Sequence, residues 1–271
     1  MRSMLTAAAG AAALTLSLNA GGASAQATIA PPPALAERGY ITYCATLDNP
    51  PRAFFDDQVR PTGFEVELGE AIAERMGLRV EWTQLRFVGL IPALQAGQCD
   101  ALMQELFIRE ERLEIIDMIP FSNTGQRLVS RTDNDASPED LDALSGVKVG
   151  VPNGTTIHNL AEEANMRLRG RGQAEIDLVV LPTTTDTFRL LSTGQLDLVG
   201  TTMTAAAYYV GLQPDQFRFA GEPFGLIGTG IGIDKGQDAL TAAMTAAFEA
   251  VVADGTYAAL IEKYSMQGSE L

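Results

Sequence analysis

The phrase AGQCDAL at residues 96–102 returns, almost unchanged, as TGQLDLV at residues 193–199, 97 positions further along the chain. The flanks agree as well, since GLIPALQAGQCDALM and TFRLLSTGQLDLVG each bring an apolar helical stretch to a glycine and then to a buried strand. Gly97 and Gly194 can take the left-handed backbone angles that close a helix, where a side chain is penalised. Asp100 and Asp197 then fall where a strand begins. A period this long excludes solenoid repeats, whose units run to roughly 20–50 residues. It suggests instead two similar lobes, each built on its own α/β sheet. The plainer alternative is that glycine followed by aspartate is a common helix–strand junction.

The rest of the chain alternates in the same way. ITYCAT (41–46) is a short β-branched and aromatic run broken by DNPPR. Phe64, Leu68, Ile72 and Met76 recur at steps of four, one apolar helix face, leaving Glu65, Glu67, Glu70, Glu74 and Arg75 on the polar side. RVEWTQL (79–85) alternates as a strand with Trp82 in the core or on the sheet, residues 88–96 read as a helix, and CDALMQEL as another strand. Polar and turn-forming content rises over 121–134, and SPEDLDAL carries Ser137 as an expected helix cap with Pro138 in the first turn. Strands follow at 147–152, 176–182 and 196–201, then a glycine-rich strand-like stretch at 221–236 and two closing helices split at Asp254-Gly255. Two β-α-β series argue for mostly parallel sheets flanked by helices. Crossovers between lobes are expected at about 121–126 and 218–225. In open α/β sheets ligands bind beyond the carboxyl ends of the strands, so a cleft between the lobes is the expected site.

The N-terminus reads differently. Arg2, the apolar run MLTAAAGAAALTLSL and the small residues Ala23-Ser24-Ala25 have the order of a cleavable secretory signal, with the cut after Ala25. The run is too short for a convincing membrane span. Residues 26–36, with Pro31-Pro32-Pro33, read as a flexible leader. The exported chain would be periplasmic and carry 18 basic against 34 acidic residues, a net charge of −16. Nucleic acid and anionic membranes, which demand clustered positive charge, are excluded as partners on that balance. Cys44 and Cys99 are the two cysteines, and an oxidising compartment favours their pairing. If their strands are neighbours, the ~4.8 Å strand spacing suits a disulfide; the alternative is two buried free thiols. One histidine, His158, without a ligand cluster gives no support to a metal site, and no cofactor is implied.

GFEVELGEAIAERMG (63–77) resembles the signature segment of the type II periplasmic solute-binding proteins, in the cluster serving polar amino acid ABC transporters. LIPALQAGQCDALM, IREER (108–112), VGVPNGTT (149–156) and ADGTYAALIEKY (253–264) fall in the matching order, so the resemblance spans Tyr43 to Tyr264. It implies a monomeric two-lobe clamp, with residues 37–122 and 223–271 in one lobe and 123–222 in the other, closing on a small solute and presenting it to an inner-membrane ABC permease. By the same resemblance, Arg112 stands where an arginine grips the ligand carboxylate, as a planar guanidinium can with two parallel bonds. An ordinary ion pair with Glu110, Glu111 or Glu114 is the alternative. Gly154, Thr155 and Thr156 match the loop before a helix whose free amides attract an anion.

Departures from the pattern bear on the ligand. The acidic side chain expected after the second-lobe strand is replaced by Thr202, and the small hydroxyl residues before the arginine by Gln104, Glu105 and Phe107. Glu105 is expected to receive a cationic group of the ligand, with Phe107 and Phe54 as aromatic walls, or else to face solvent or pair with Arg52 or Arg109. Asp48, just past the first strand, joins the ligand-binding set. An amino acid, an N-substituted or quaternary amine with a carboxylate, and a plain carboxylate all fit. Two other functions share this scaffold: a dehydratase-like enzyme, for which the stretch TTMTAAAYYV offers no general acid, and a sensor subunit for a membrane receptor.

Overall fold

The computed structural model describes residues 29–271, so the signal sequence and its cut lie outside the described residues. α1 (Pro33–Arg38) leads into β1 (Tyr40–Ala45), and a small antiparallel sheet follows from β2 (Asp48–Asn49), β3 (Ala53–Phe55) and β4 (Pro61–Thr62). α2 (Phe64–Arg75), β5 (Arg79–Gln84), α3 (Leu90–Gln95), β6 (Ala101–Leu102) and α4 (Glu110–Leu113) complete the first series. The long β7 (Ile116–Arg131) carries the chain across to β8 (Lys148–Pro152), α5 (Thr156–Gly170), β9 (Asp177–Leu181), α6 (Thr184–Ser192), β10 (Leu198–Thr202) and α7 (Met203–Leu212). β11 (Phe217–Asp234) returns it, and α8 (Asp238–Ala253) and α9 (Thr256–Lys263) close the chain. Among the described residues no single helix is long and apolar enough to cross a membrane.

The main sheet runs in the order β5-β1-β6-β11-β7-β10-β8-β9. β1, β5 and β6 are mutually parallel on one side of the paired long strands, and β8, β9 and β10 on the other. The two expected sheets are thus joined through β7 and β11, whose antiparallel ladder slips register at Ala220/Phe224, Phe224/Ile227 and Thr229/Gly230. Each side has its own core. Buried residues of α2, α8 and α9 pack with Ile41, Tyr43 and Phe121, whereas Leu128, Val149, Val151 and Leu168 pack with Leu198 on the other side. No buried cluster among the described residues mixes the two sides.

The repeated phrase performs one job twice. Gly97 and Gly194 both have positive φ, at 69° and 74°. Each amide donates to a carbonyl three residues back (Leu94, Leu191), and the following glutamine's amide reaches five back (Ala93, Leu190), the paired bonds of a glycine-terminated helix. Asp100 then binds Thr42 of β1 twice, donating its amide to the carbonyl and accepting the Thr42 amide on Oδ2 at 2.7 Å. Asp197 binds Lys148 of β8 identically, with Oδ2 at 3.1 Å from the amide. Both aspartates fasten the amino end of a parallel strand, away from the carboxyl ends.

Several expectations are corrected. Residues 33–36, placed in the leader, belong to α1, because Leu35 buries against the first core and the Ile29 amide donates to Arg75 O. The polar stretch 121–126 is uninterrupted β7, since its backbone is paired to β11. Ser137 caps nothing; the turn Leu141–Leu144 is 3-10, and Asp140 accepts from the Ala143 amide at its start. CDALMQEL yields a strand of only two residues, after which Gln104 and Glu105 turn into side-chain bonds. Cys44 and Cys99 form a disulfide with Cα atoms 5.8 Å apart, as expected of neighbouring strands.

Candidate ligand-binding cleft

A cleft between the two sides leaves about 590 Å³ not filled by atoms. Nearly all of its lining follows the carboxyl end of a parallel strand: Thr46 and Asp48 after β1, Phe87 after β5, Gln104, Glu105 and Phe107 after β6. The opposite wall repeats the pattern with Thr155 and Thr156 after β8, Pro182 to Thr184 after β9, and Thr202 ending β10. Sheet polarity therefore explains why so many short, separate segments meet here.

Arg112 sits in the cleft wall at 8% exposure. Its Nη1 donates to Phe107 O at 2.9 Å, and its guanidinium carbon lies 5.6 Å from the Phe87 ring centroid. The alternative pairing with a neighbouring glutamate does not occur: Glu111 pairs with Arg109, and among the described residues Arg112 has no ion pair. Burial pulls its pKa down to about 10, the charge of Arg109 adding to the effect and Glu111 opposing it. It remains a cation at neutral pH, and a buried cation without a counter-ion is costly until an anion arrives.

The start of α5 faces the same space. Thr155 caps the helix, its Oγ1 accepting from the His158 amide at 3.4 Å and donating to Pro152 O at 2.7 Å. Thr156 lines the cleft in the first turn, where backbone N–H groups have no partner within the helix and carry the positive end of its dipole. Gly154 does not line the cleft. Its φ is 72°, its amide donates to His158 Nδ1 at 3.0 Å, and an added Cβ would lie 2.5 Å from Val88 Cγ1 on the facing side. It permits close approach across the cleft.

Glu105 is buried and already matched. Its Oε2 accepts from Asn49 Nδ2 at 2.8 Å, its Oε1 accepts from Thr204 Oγ1 at 2.6 Å, and Arg52 Nη1 stands 3.4 Å from Oε1. Thr204 belongs to α7, so this bond crosses between the sides. Arg52 is fully buried; it donates through Nε to Glu65 at 2.9 Å and through Nη2 to Ser122 at 2.6 Å and Thr229 at 3.4 Å, on β7 and β11. The rings of Phe64 and Phe121 flank it. Glu65, placed on the polar face of its helix by spacing, is instead fully buried against this arginine. Burial opposes the Arg52 charge, but Glu105 and Glu65 together overcome it and raise its pKa. Two acids share one cation, and burial pushes Glu65 up to about 7, with Arg52 opposing and Glu105 reinforcing.

Asp48 is half-buried in the lining; burial raises its pKa, while a hydrogen bond with Thr46 and the backbone opposes the rise. Phe107 is buried in the lining. Phe54 is not; it faces Tyr208 of α7, with centroids 6.3 Å apart. Thr202 lines the cleft while capping α7, its Oγ1 accepting from the Ala205 amide at 3.3 Å and lying 3.1 Å from Thr204 Oγ1. Sequence reasoning passed over Phe87, Gln126 and the Thr46–Gln104 pair. Their signal was positional, since Phe87 and Gln104 follow strand ends and Gln126 lies in an expected crossover.

A model of the bacterial extracellular solute-binding proteins, family 3, matches residues 41–267. The chain belongs to this family. Among family 3 relatives, the chain is 32% identical over 214 residues to the lysine/arginine/ornithine-binding periplasmic protein of Escherichia coli (strain K12), covering 74% of this chain and 78% of that one. It is 27% identical over 229 residues to the L-cystine-binding protein TcyJ of the same strain, covering 84% and 83%. Its structure is similar to an ancestral arginine-binding protein bound to arginine, with a TM-score of 0.76 at 31% identity over 84% of this chain and 98% of that one. It is similar as well to an ancestral amino acid-binding protein that is a precursor of cyclohexadienyl dehydratase, with a TM-score of 0.77 at 28% identity, covering 85% and 97%. These neighbours share the type II periplasmic binding protein fold.

Proposed function

We propose that this solute-binding protein captures a small carboxylate-bearing solute, an amino acid or a derivative of one, in the cleft, and delivers it in the periplasm to an inner-membrane ABC permease. One observation carries the reading: Arg112 is a buried guanidinium with no ion-pair partner among the described residues, lining the same cleft as the first turn of α5. A carboxylate seated there meets a two-pronged cation and the helix amides together. The names of the relatives, which bind arginine, cystine and basic amino acids, support the solute class.

In this reading, residues 37–122 with 223–271 and residues 123–222 move as two bodies about β7 and β11. The solute favours closure by its greater affinity for the closed form. Thr155 and Thr156 hold the carboxylate from one side and Arg112 from the other, while Asp48 and Thr202 line the rest of the solute. Glu105 acts through Thr204 to keep the sides together rather than as a free acceptor. Thermal-shift screening of the mature protein with amino acids, betaines and small carboxylates tests the solute class, because binding only the folded state raises Tm. Stabilisation by none of the carboxylates, with stabilisation by neutral or cationic solutes, would overturn it. Product analysis of the same mixtures distinguishes binding from turnover.

A further inference from the structure

A carboxylate seated on Arg112 leaves one polar group of the cleft unserved. Gln126, on β7, is 1% exposed and lines the cavity, yet neither its Oε1 nor its Nε2 has a hydrogen-bond partner among the described residues. Buried side-chain amides without partners are rare, because each orphaned group keeps the full cost of leaving water. Its backbone is held on both flanks, opposite Thr202 of β10 and Phe224 of β11, where the β11 ladder slips register. The polar neighbours are committed elsewhere. Thr202 Oγ1 caps α7, Gln104 Oε1 accepts from the Thr46 amide at 2.8 Å, and Glu105 is held by Asn49, Thr204 and Arg52. Nothing among the described residues completes Gln126.

A side-chain amide offers an acceptor and a donor side by side. In an open cleft, water serves both; a solute that expels the water must take over both bonds or leave a group orphaned. A plain carboxylate only accepts, so it can satisfy Nε2 and never Oε1. A quaternary ammonium carries no N–H and fails at the same atom. Resting on the proposed carboxylate site, we infer that Gln126 is the specificity-determining residue of the cleft. It selects solutes that carry, besides the carboxylate, an N–H or O–H donor for Oε1, and it rejects betaines and plain carboxylates. Sites built around a buried polar group discriminate strongly against analogues that lack its partner, because the group is then left unpaired.

The test uses the mature full chain and isothermal titration. The twenty standard L-amino acids are screened first. The tightest binder is then compared with its des-amino carboxylate and its N,N,N-trimethyl derivative. Wild type is expected to prefer the parent amino acid by roughly 100-fold or more over both analogues. Gln126→Met, close in shape but without the amide, is expected to bring that preference below about tenfold, with Gln126→Leu as a second variant should the first fail to fold. Equal affinity of wild type for parent and trimethyl derivative overturns the inference, as does a plain carboxylate that outbinds every amino acid. A Gln126→Met protein that weakens all three solutes alike overturns it too. Arg112→Gln separates the two ideas: it should weaken all three solutes together, and if it does not, the carboxylate site fails while the donor preference still stands or falls on Gln126→Met.

Discussion

Arg52 and Arg112 are both buried guanidinium groups, yet one is ion-paired with two acids and the other, among the described residues, with none. Arg52 meets Glu65, Glu105 and the hydroxyls of Ser122 and Thr229, while Arg112 meets one carbonyl and the face of Phe87. Their pKa values move in opposite directions for that reason: up at Arg52, where the acids outweigh burial, and down to about 10 at Arg112, where burial dominates. The comparison separates a charge matched within the protein from one that, in the proposed function, is left for a solute. Burial of an arginine is therefore uninformative until its counter-ions have been sought.

The largest effect should come from breaking the matched group. Arg52→Met strands two buried carboxylates, and urea denaturation is expected to show a loss of about 3–5 kcal/mol. A loss under about 1 kcal/mol would mean that Arg52 does not organise the cluster. Arg112→Met, by contrast, is expected to leave unfolding unchanged or slightly improved, while calorimetry records a loss of solute affinity of roughly 2–5 kcal/mol. The contrast would fail if the two variants lost stability equally.

The shared cation also sets a pH dependence. Glu65 binds its proton near pH 7 in the folded protein but near its ordinary value of 4.5 when unfolded. Between those values the folded state holds more protons, so stability falls as pH rises through that window, by on the order of 3 kcal/mol. Glu65→Gln is expected to flatten this part of a Tm-against-pH curve, and an unchanged slope would remove Glu65 as its source. The smallest effect belongs to Thr204→Val, which deletes the bond from α7 to Glu105. It should speed solute release in stopped-flow measurements, at a cost of about 1.5 kcal/mol or less, with unfolding little altered.

What the sequence disclosed follows from periodicity and backbone constraint. The four-residue spacing from Phe64 to Met76 located α2, and Gly255, with φ of 85°, parts the closing helices where expected. Spacing failed at Glu65, whose partner Arg52 comes from a proline-rich turn that no helical period can anticipate. The polar run at 121–126 concealed a continuous strand, because Ser122, Asn123, Thr124 and Gln126 are held by backbone pairing to β11 and only Phe121 among them joins a buried apolar core. Arg112 was legible through a motif. Gln126 was not, since an unpartnered amide is a property of its surroundings rather than of the residue.

The twin aspartates divide the sheet between two duties. Asp100 and Asp197 fasten strands at one rim, while the residues lining the cleft gather at the other. Redesign of binding preference can accordingly be confined to positions such as Phe87, Gln126 and Thr202, with the fastenings that hold the strands in register left untouched. A chain organised in this way can change its cargo without relearning how to assemble.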